Sequence, residues 1–259
     1  MSDLYCYSQS DVGKRRDQED TSYIGKVKHF IMCGVFDGHA GKTASYFLRD
    51  NIEKYVDRAI DASEGSIENA LIEAFVAIDR DIIPDLSAAG STAVVCLVDD
   101  KNIFCANCGD SRAVLARKGK VIALSEDHKP RGKEAERVKA EGGFICCISR
   151  HDRTPYVGAR LAMTRAIGDS IIEGVIAIPE VVTLVRHDDD EFIVIASDGL
   201  WDVVTNEDAV SLMRICIERC LSEGHSREFA MRVACKTLIE CAKHNKSRDN
   251  ITVVVLDLA

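Results

Sequence analysis

Apolar residues recur along the chain in short unbroken runs and in spaced stripes, and the two patterns predict different elements. Runs of strand length, most of them rich in Val and Ile, occupy positions 30–36, 92–98, 103–106, 113–116, 121–124, 181–185, 192–196 and 251–256. Several are separated by short polar turns such as Asp99-Asp100-Lys101-Asn102, and short connections imply antiparallel pairing. Stripes at helical spacing come in two pairs. One helix is predicted over 42–60. A second starts near Ser66, carries Ala70, Leu71, Ala74, Phe75, Ile78 and Ile82 on one face, and is limited by Pro84. A third opens at Thr205, where Thr205 and Asp208 form a capping-box pattern, and buries Ala209, Val210, Leu212, Met213, Cys216, Ile217 and Cys220. A fourth opens near Ser226 and carries Phe229, Ala230, Val233, Ala234, Leu238 and Ile239. Each helix has one apolar face and must lie on something. Two helix pairs and this many strands predict sheets stacked in the middle with helices outside. The stretch 131–155 follows neither period and reads as an irregular loop region.

Several acids sit at strand ends. Glu19 and Asp20 precede a predicted strand at 21–24, and a turn around 25–28 leads into the run that ends at Asp37. In a hairpin, the start of the first strand and the end of the second share an edge, so Glu19, Asp20 and Asp37 should converge. Asp198 follows the run 192–196 and Asp249 precedes the run 251–256. If those strands are antiparallel neighbours, their carboxylates share an edge too. Gathered carboxylates repel and shift their pKa values unless cations neutralise them. Mg²⁺ and Mn²⁺ do this with oxygen ligands, and two such ions about 3.5–4 Å apart form the usual apparatus for phosphoryl hydrolysis. Read singly, each acid is a solvated turn residue. Spacing alone leaves nuclease, phosphodiesterase and phosphatase open.

Composition narrows the class. The 259 residues, 46% hydrophobic and 29% charged, describe an ordinary globular chain, expected as one domain over 1–259. The net charge of −9 disfavours a nonspecific nucleic-acid or anionic-membrane binder. No apolar run approaches the ~18 residues of a membrane span, and Met1-Ser2-Asp3-Leu4 lacks the basic and apolar regions of a signal peptide. Eleven cysteines, an odd number lying mostly in apolar segments, read as buried small hydrophobes in a reducing compartment. Cys105-Ala106-Asn107-Cys108 has CxxC spacing, but no second pair completes a zinc site and the segment reads as strand into turn. Cys146-Cys147 is open to oxidation if exposed. Asp188-Asp189-Asp190-Glu191 lacks EF-hand spacing and reads as a solvated hairpin.

The segments that decide are Gly13-Lys14-Arg15-Arg16-Asp17-Gln18-Glu19-Asp20, Val35-Phe36-Asp37-Gly38-His39-Ala40-Gly41, Gly90-Ser91-Thr92-Ala93, Asn107-Cys108-Gly109-Asp110-Ser111-Arg112, Asp127-His128-Lys129-Pro130, Leu161-Ala162-Met163-Thr164-Arg165-Ala166-Ile167-Gly168-Asp169, Ala196-Ser197-Asp198-Gly199-Leu200-Trp201-Asp202 and Ser247-Arg248-Asp249-Asn250. In this order, over nearly the whole chain, they resemble the metal-dependent protein phosphatases, the type-2C (PPM) serine/threonine phosphatases. The resemblance implies an α+β fold of four layers, α-β-β-α, with a central antiparallel β-sandwich flanked by helix pairs. It implies two Mg²⁺ or Mn²⁺ ions per active site. Asp37 would bridge them, Asp198 and Asp249 would complete the first site, and Glu19 with the Gly38 carbonyl would bind the second. Asp110 and Asp202, with Asp198, would hold a weaker third ion. Asp20 would orient metal-bound water, Arg15 would clamp phosphate, and His39 would protonate the leaving oxygen. A bridging water or hydroxide would attack phosphorus directly, without a phosphoenzyme.

The remaining motif residues get quieter readings. Arg165 and Asp169 are expected to anchor a loop, Asp127 to Pro130 to be architectural, and Trp201 to be core. Tyr156 stands where many members carry an arginine, in the loop associated with substrate peptides. Phosphorylated proteins are the implied substrates, for a soluble cytoplasmic or nuclear monomer, with no nucleic acid or membrane partner and nearly all of the chain catalytic domain. A catalytically silent binding module would normally have lost a ligand or the clamp, and all are present here. A two-metal nuclease fits poorly with the net charge and the lack of an aromatic-basic stripe.

Overall fold

In a computed structural model the described residues are 4–82, 89–148, 153–169 and 171–259. In chain order they form β1 (Cys6–Asp11), β2 (Thr21–Val27), β3 (Phe30–Phe36), β4 (Gly38–His39), α1 (Thr43–Ala62), α2 (Ile67–Asp81), β5 (Gly90–Ser91), β6 (Ala93–Val98), β7 (Asn102–Cys108), β8 (Arg112–Arg117), β9 (Lys120–Ala123), α3 (Gly132–Ala140), β10 (Ile145–Cys147), β11 (Pro155–Val157), β12 (Glu180–Val185), β13 (Asp190–Ala196), α4 (Asp198–Trp201), α5 (Asn206–Ser222), α6 (Arg227–His244) and β14 (Ile251–Asp257). Two five-stranded sheets carry the fold, in the orders β1-β14-β13-β8-β9 and β12-β7-β6-β3-β2. Every pairing within them is antiparallel.

Both faces of the central strands are buried, which is why they read as unbroken apolar runs and not as alternating patterns. In β3, Phe30, Met32 and Phe36 pack against α1 and α2, while Ile31, Cys33 and Val35 turn into the space between the sheets. In β14, Val253 and Val255 meet α5 and α6, while Val254 and Leu256 face the opposite sheet. The result is helix pair, sheet, sheet, helix pair, as expected. Emptying the fully buried Phe36 position would cost about 3–5 kcal/mol. Three predicted helix starts are capped: the hydroxyls of Ser66, Thr205 and Ser226 accept from the backbone N–H of Asn69, Asp208 and Phe229. Pro84, the expected limit of α2, lies outside the described residues. Cys105 faces the space between the sheets and Cys108 the helix side, so the CxxC thiols do not converge.

The stretch 131–155 is more regular than expected. It contains α3 and β10, and β10 pairs with β11 through Cys146 and Tyr156. The helix has no long apolar stripe: it is held by one buried apolar residue, Val138, and by an ion network. Glu134, 4% exposed, receives Arg165 at 2.7 Å and Arg137 at 3.0 Å.

Candidate active site

The hairpin logic holds. Thr21 pairs with Phe36 at the open end of β2 and β3, so Asp20 and Asp37 leave the sheet side by side. Ala196 pairs with Val253 at the matching end of β13 and β14, and Asp198 and Asp249 lie just beyond. Asp198 opens the single-turn α4 after Ser197. A Cβ on Gly199 would lie 1.9 Å from the Asn250 carbonyl oxygen, so only glycine lets this turn meet the segment that carries Asp249. Gly38 follows Asp37 in β4, which pairs with β5. The Asp37 backbone is fastened by Thr92, whose Oγ1 accepts from Asp37 N at 3.0 Å and whose N–H donates to Asp37 O at 2.9 Å.

Asn250 ties the first loop to this edge. Its Oδ1 accepts from Glu19 N at 2.8 Å, and its Nδ2 donates to the carbonyls of Val12 and Asp17. Nothing in the order Ser247-Arg248-Asp249-Asn250 points to this task for Asn250.

The charges confirm that the acids share one space. Burial raises the Asp37 carboxyl well above its usual range, and Asp20, Asp198, Asp110 and Asp249 raise it further. Asp198 is raised likewise by burial and then by Asp110 and Asp202, with Lys129 opposing. Asp202 is also raised, first by burial. Burial pushes Asp20 up to about 6, against hydrogen bonds from Ser197 and Thr252. Ser197 Oγ donates to Asp20 Oδ2 at 2.8 Å. Asp20 Oδ1 and Asp110 Oδ1 are buried without a partner. Hard oxygen donors that crowd, repel and retain open lone pairs suit a divalent hard cation. Glu19 and the Gly38 carbonyl stand at the same edge as this set.

Two cations already serve these acids. Arg15 Nη2 contacts Asp249 Oδ2 at 2.6 Å, so the expected phosphate clamp rests on an expected metal ligand. Lys129 Nζ binds Asp110 Oδ2. Lys129 therefore belongs to the site, not to architecture alone. Its neighbours fit the quieter reading: Asp127 takes the Arg112 guanidinium at 2.7 Å, and His128 Nδ1 accepts from Gly109 N at 3.1 Å. Asp169 ties its loop to β4, and does so through a site residue: its Oδ2 lies 2.8 Å from His39 Nε2. Arg165 does anchor, to Glu134 and the Ile178 carbonyl. Trp201 is core, 6% exposed, with Nε1 donating to Ala196 O at 3.0 Å.

Among the described residues one trio of potential ligands brings all its atoms within 4.8 Å, and it is His128, Glu134 and Glu180. None of the three was predicted. Arg165, Arg137 and Lys133 already engage its carboxylates, at 2.7, 3.0 and 3.0 Å. In this structure that trio is an ion network shared by three cationic side chains.

Comparison with known proteins agrees with this geometry. The family model described as Protein phosphatase 2C matches residues 9–251. The chain is 35% identical to an Arabidopsis thaliana "Probable protein phosphatase 2C 78", over 95% of this chain and 70% of that protein. It is 36% identical to the Arabidopsis "Protein phosphatase 2C 3", over 83% of this chain and 54% of that protein. In fold it is similar to the crystal structure of serine-threonine phosphatase 2C from Toxoplasma gondii, with a TM-score of 0.80 at 22% identity, covering 99% of this chain and 95% of the other.

Proposed function

The chain belongs to the protein phosphatase 2C family of metal-dependent serine/threonine phosphatases, and from that premise we propose that it hydrolyses phosphoserine and phosphothreonine in proteins at the carboxylate edge between the two sheets. The observation that carries this reading is the convergence of Asp20, Asp37, Asp110, Asp198 and Asp249, each within electrostatic reach of others, with two buried oxygens unpartnered. Asp37, Asp198 and Asp249 would hold one Mg²⁺ or Mn²⁺ ion. Asp37, Glu19 and the Gly38 carbonyl would hold the second. Asp110, Asp198 and Asp202 would take a weaker third once Lys129 is displaced.

When bound, the ions supply a water made nucleophilic at neutral pH and neutralise the phosphoryl charge. The chain's own residues do the rest. Asp20, anchored by Ser197, orients the attacking water through its free oxygen. Arg15, released from Asp249, offers two parallel N–H donors to the phosphoryl oxygens. His39 donates a proton to the departing Ser or Thr oxygen, a poor leaving group without it. The eleven free cysteines fit a reducing compartment, and we place the protein in cytoplasm or nucleus as a monomer. No described helix is long and apolar enough to cross a membrane.

The test is phosphate release from a phosphothreonine peptide by purified protein, titrated with Mn²⁺ from a chelated start. A saturable, metal-dependent rate is expected. A folded sample with no rate at any Mn²⁺ concentration refutes the reading.

A further inference from the structure

Three motif segments that are far apart in sequence meet beside His39. His39 pairs with Gly90 across the short β4–β5 ladder. Ser91 in turn bridges Ile167, with N–H to carbonyl bonds of 2.9 and 2.8 Å in the two directions. The loop that follows Ile167 is then held from below, because Gly168 N donates to Asp79 Oδ1 of α2 at 2.7 Å. This delivers Asp169, 3% exposed, to His39, with Oδ2 to Nε2 at 2.8 Å. A Cβ on Gly90 would lie 2.0 Å from Asp169 Oδ2 and 2.5 Å from His39 Nε2. The pair therefore packs directly over the Gly90 backbone, in space that any other residue would fill.

The proton count follows from the partners. A carboxylate can only accept, so Nε2 carries the hydrogen of this bond. His39 Nδ1 is buried and has no partner. It is the ring nitrogen that the Asp169 contact leaves without a partner.

We propose that Asp169 is a positioning residue for the hydrolysis: it holds the Nε2–H of His39, fixing the ring so that Nδ1 is the proton donor to the leaving oxygen. This rests on the phosphatase reading above. In the step, the Nδ1–H bond breaks and the O–H bond of the released Ser or Thr forms as the P–O bond cleaves. The imidazole becomes neutral, and Asp169 stays an acceptor throughout. Asp79, through Gly168, sets the height of the loop that presents Asp169.

A ring that is misplaced but still present hurts only substrates that need a proton on the leaving oxygen. With Mn²⁺ saturating, Asp169→Ala is expected to lower kcat on a phosphothreonine peptide by about 10- to 100-fold, while KM and the rate on p-nitrophenyl phosphate stay within about threefold. In a His39→Ala background, Asp169→Ala should add nothing on the peptide, since the two act as one unit. Asp169→Asn keeps an oxygen for Nε2–H, and its loss should be under about tenfold and again confined to the peptide. Should the alanine variant fail to fold, the asparagine variant carries the test. Nitrogen-15 spectra of histidine-labelled protein add a direct readout: the Nε2–H tautomer of His39 in wild type, and a mixture of tautomers in Asp169→Ala.

Equal losses on both substrates, a further loss on top of His39→Ala, or an unchanged tautomer in Asp169→Ala would each overturn the proposal. Wild-type protein inactive on both substrates with Mn²⁺ would instead overturn the phosphatase reading, and this inference with it.

Discussion

Replacing Asp20 with Asn should stabilise the metal-free protein, and only above a definable pH. Asp20 is 3% exposed, and burial lifts its carboxyl from an ordinary 3.8 to about 6. As pH rises through that window the unfolded chain releases a proton that the folded chain keeps. The metal-free fold therefore loses stability between about pH 4 and 6, and above the folded value the loss is constant. The gap from 3.8 to about 6 corresponds to about 3 kcal/mol at 1.36 kcal/mol per pKa unit. Asn keeps an oxygen for the Ser197 hydroxyl and removes the charge. The gain should thus approach that figure, an increase in Tm of roughly 5–10 °C for a chain of this size. The assay is thermal unfolding of wild type and variant in chelator, near pH 7.5 and near pH 4. Comparing the two proteins at each pH cancels the titrating groups that do not feel Asp20; Asp37, which the Asp20 charge raises, adds to the gain in the same direction. The expected result is a large gain at the higher pH, almost none at the lower, and weakened turnover with Mn²⁺ throughout. A gain of equal size at both pH values, or no gain at either, would refute the electrostatic argument.

Four further outcomes are expected. Asp198→Asn should fold normally, lose calorimetric Mn²⁺ binding, and drop phosphate release by at least roughly 100-fold. Gly199→Ala places a Cβ 1.9 Å from Asn250 O and should cost roughly 1–3 kcal/mol in chemical denaturation, together with Mn²⁺ affinity, because the displaced segment carries Asp249. Glu134→Gln should cost roughly 2 kcal/mol at neutral pH, where Arg165, Thr164 and Arg137 outweigh burial and hold the carboxyl down to about 2. That stability is present above the unfolded value of 4.5 and is lost as pH falls toward about 2, so the variants should converge in acid. Inorganic phosphate should bind only after Mn²⁺, since Arg15 is held by Asp249 in its absence. Calorimetric phosphate binding of equal strength in chelator would rule this order out.

The parts of the fold legible in sequence were those where one physical term dominates. Strands buried on both faces appear as unbroken apolar runs, and the run 30–36 coincides with β3. Helices with an apolar stripe and a Ser or Thr cap were read within a few residues at their starts. The misses lie where no single term dominates. β1, Cys-Tyr-Ser-Gln-Ser-Asp, is an edge strand held by its pairing with β14 and shows no apolar run. β4 and β5 are two residues each and exist because three loops meet at Gly90. α3 is anchored by Glu134, an acid that periodicity counts as solvent-facing.

The same distinction governs the site. An acid at the end of a predicted strand is placed by hairpin geometry alone, so Asp20, Asp37, Asp198 and Asp249 could be gathered on paper. A side chain that reaches across from a loop cannot be placed that way. Asp127, His128 and Lys129 are consecutive, yet they go to Arg112, Gly109 and Asp110 respectively. Only the last touches the acidic edge, and nothing in the order of the residues says which. The electrostatic cost of the edge supplies the missing criterion. Acids crowded enough to lift one another's pKa values draw in whatever cations can reach, and here those are Arg15 and Lys129. The chain thus carries internal counter-ions for the charge its metals are expected to balance. Under the proposed assignment, Lys129 would leave Asp110 for the third ion and Arg15 would leave Asp249 for the phosphate.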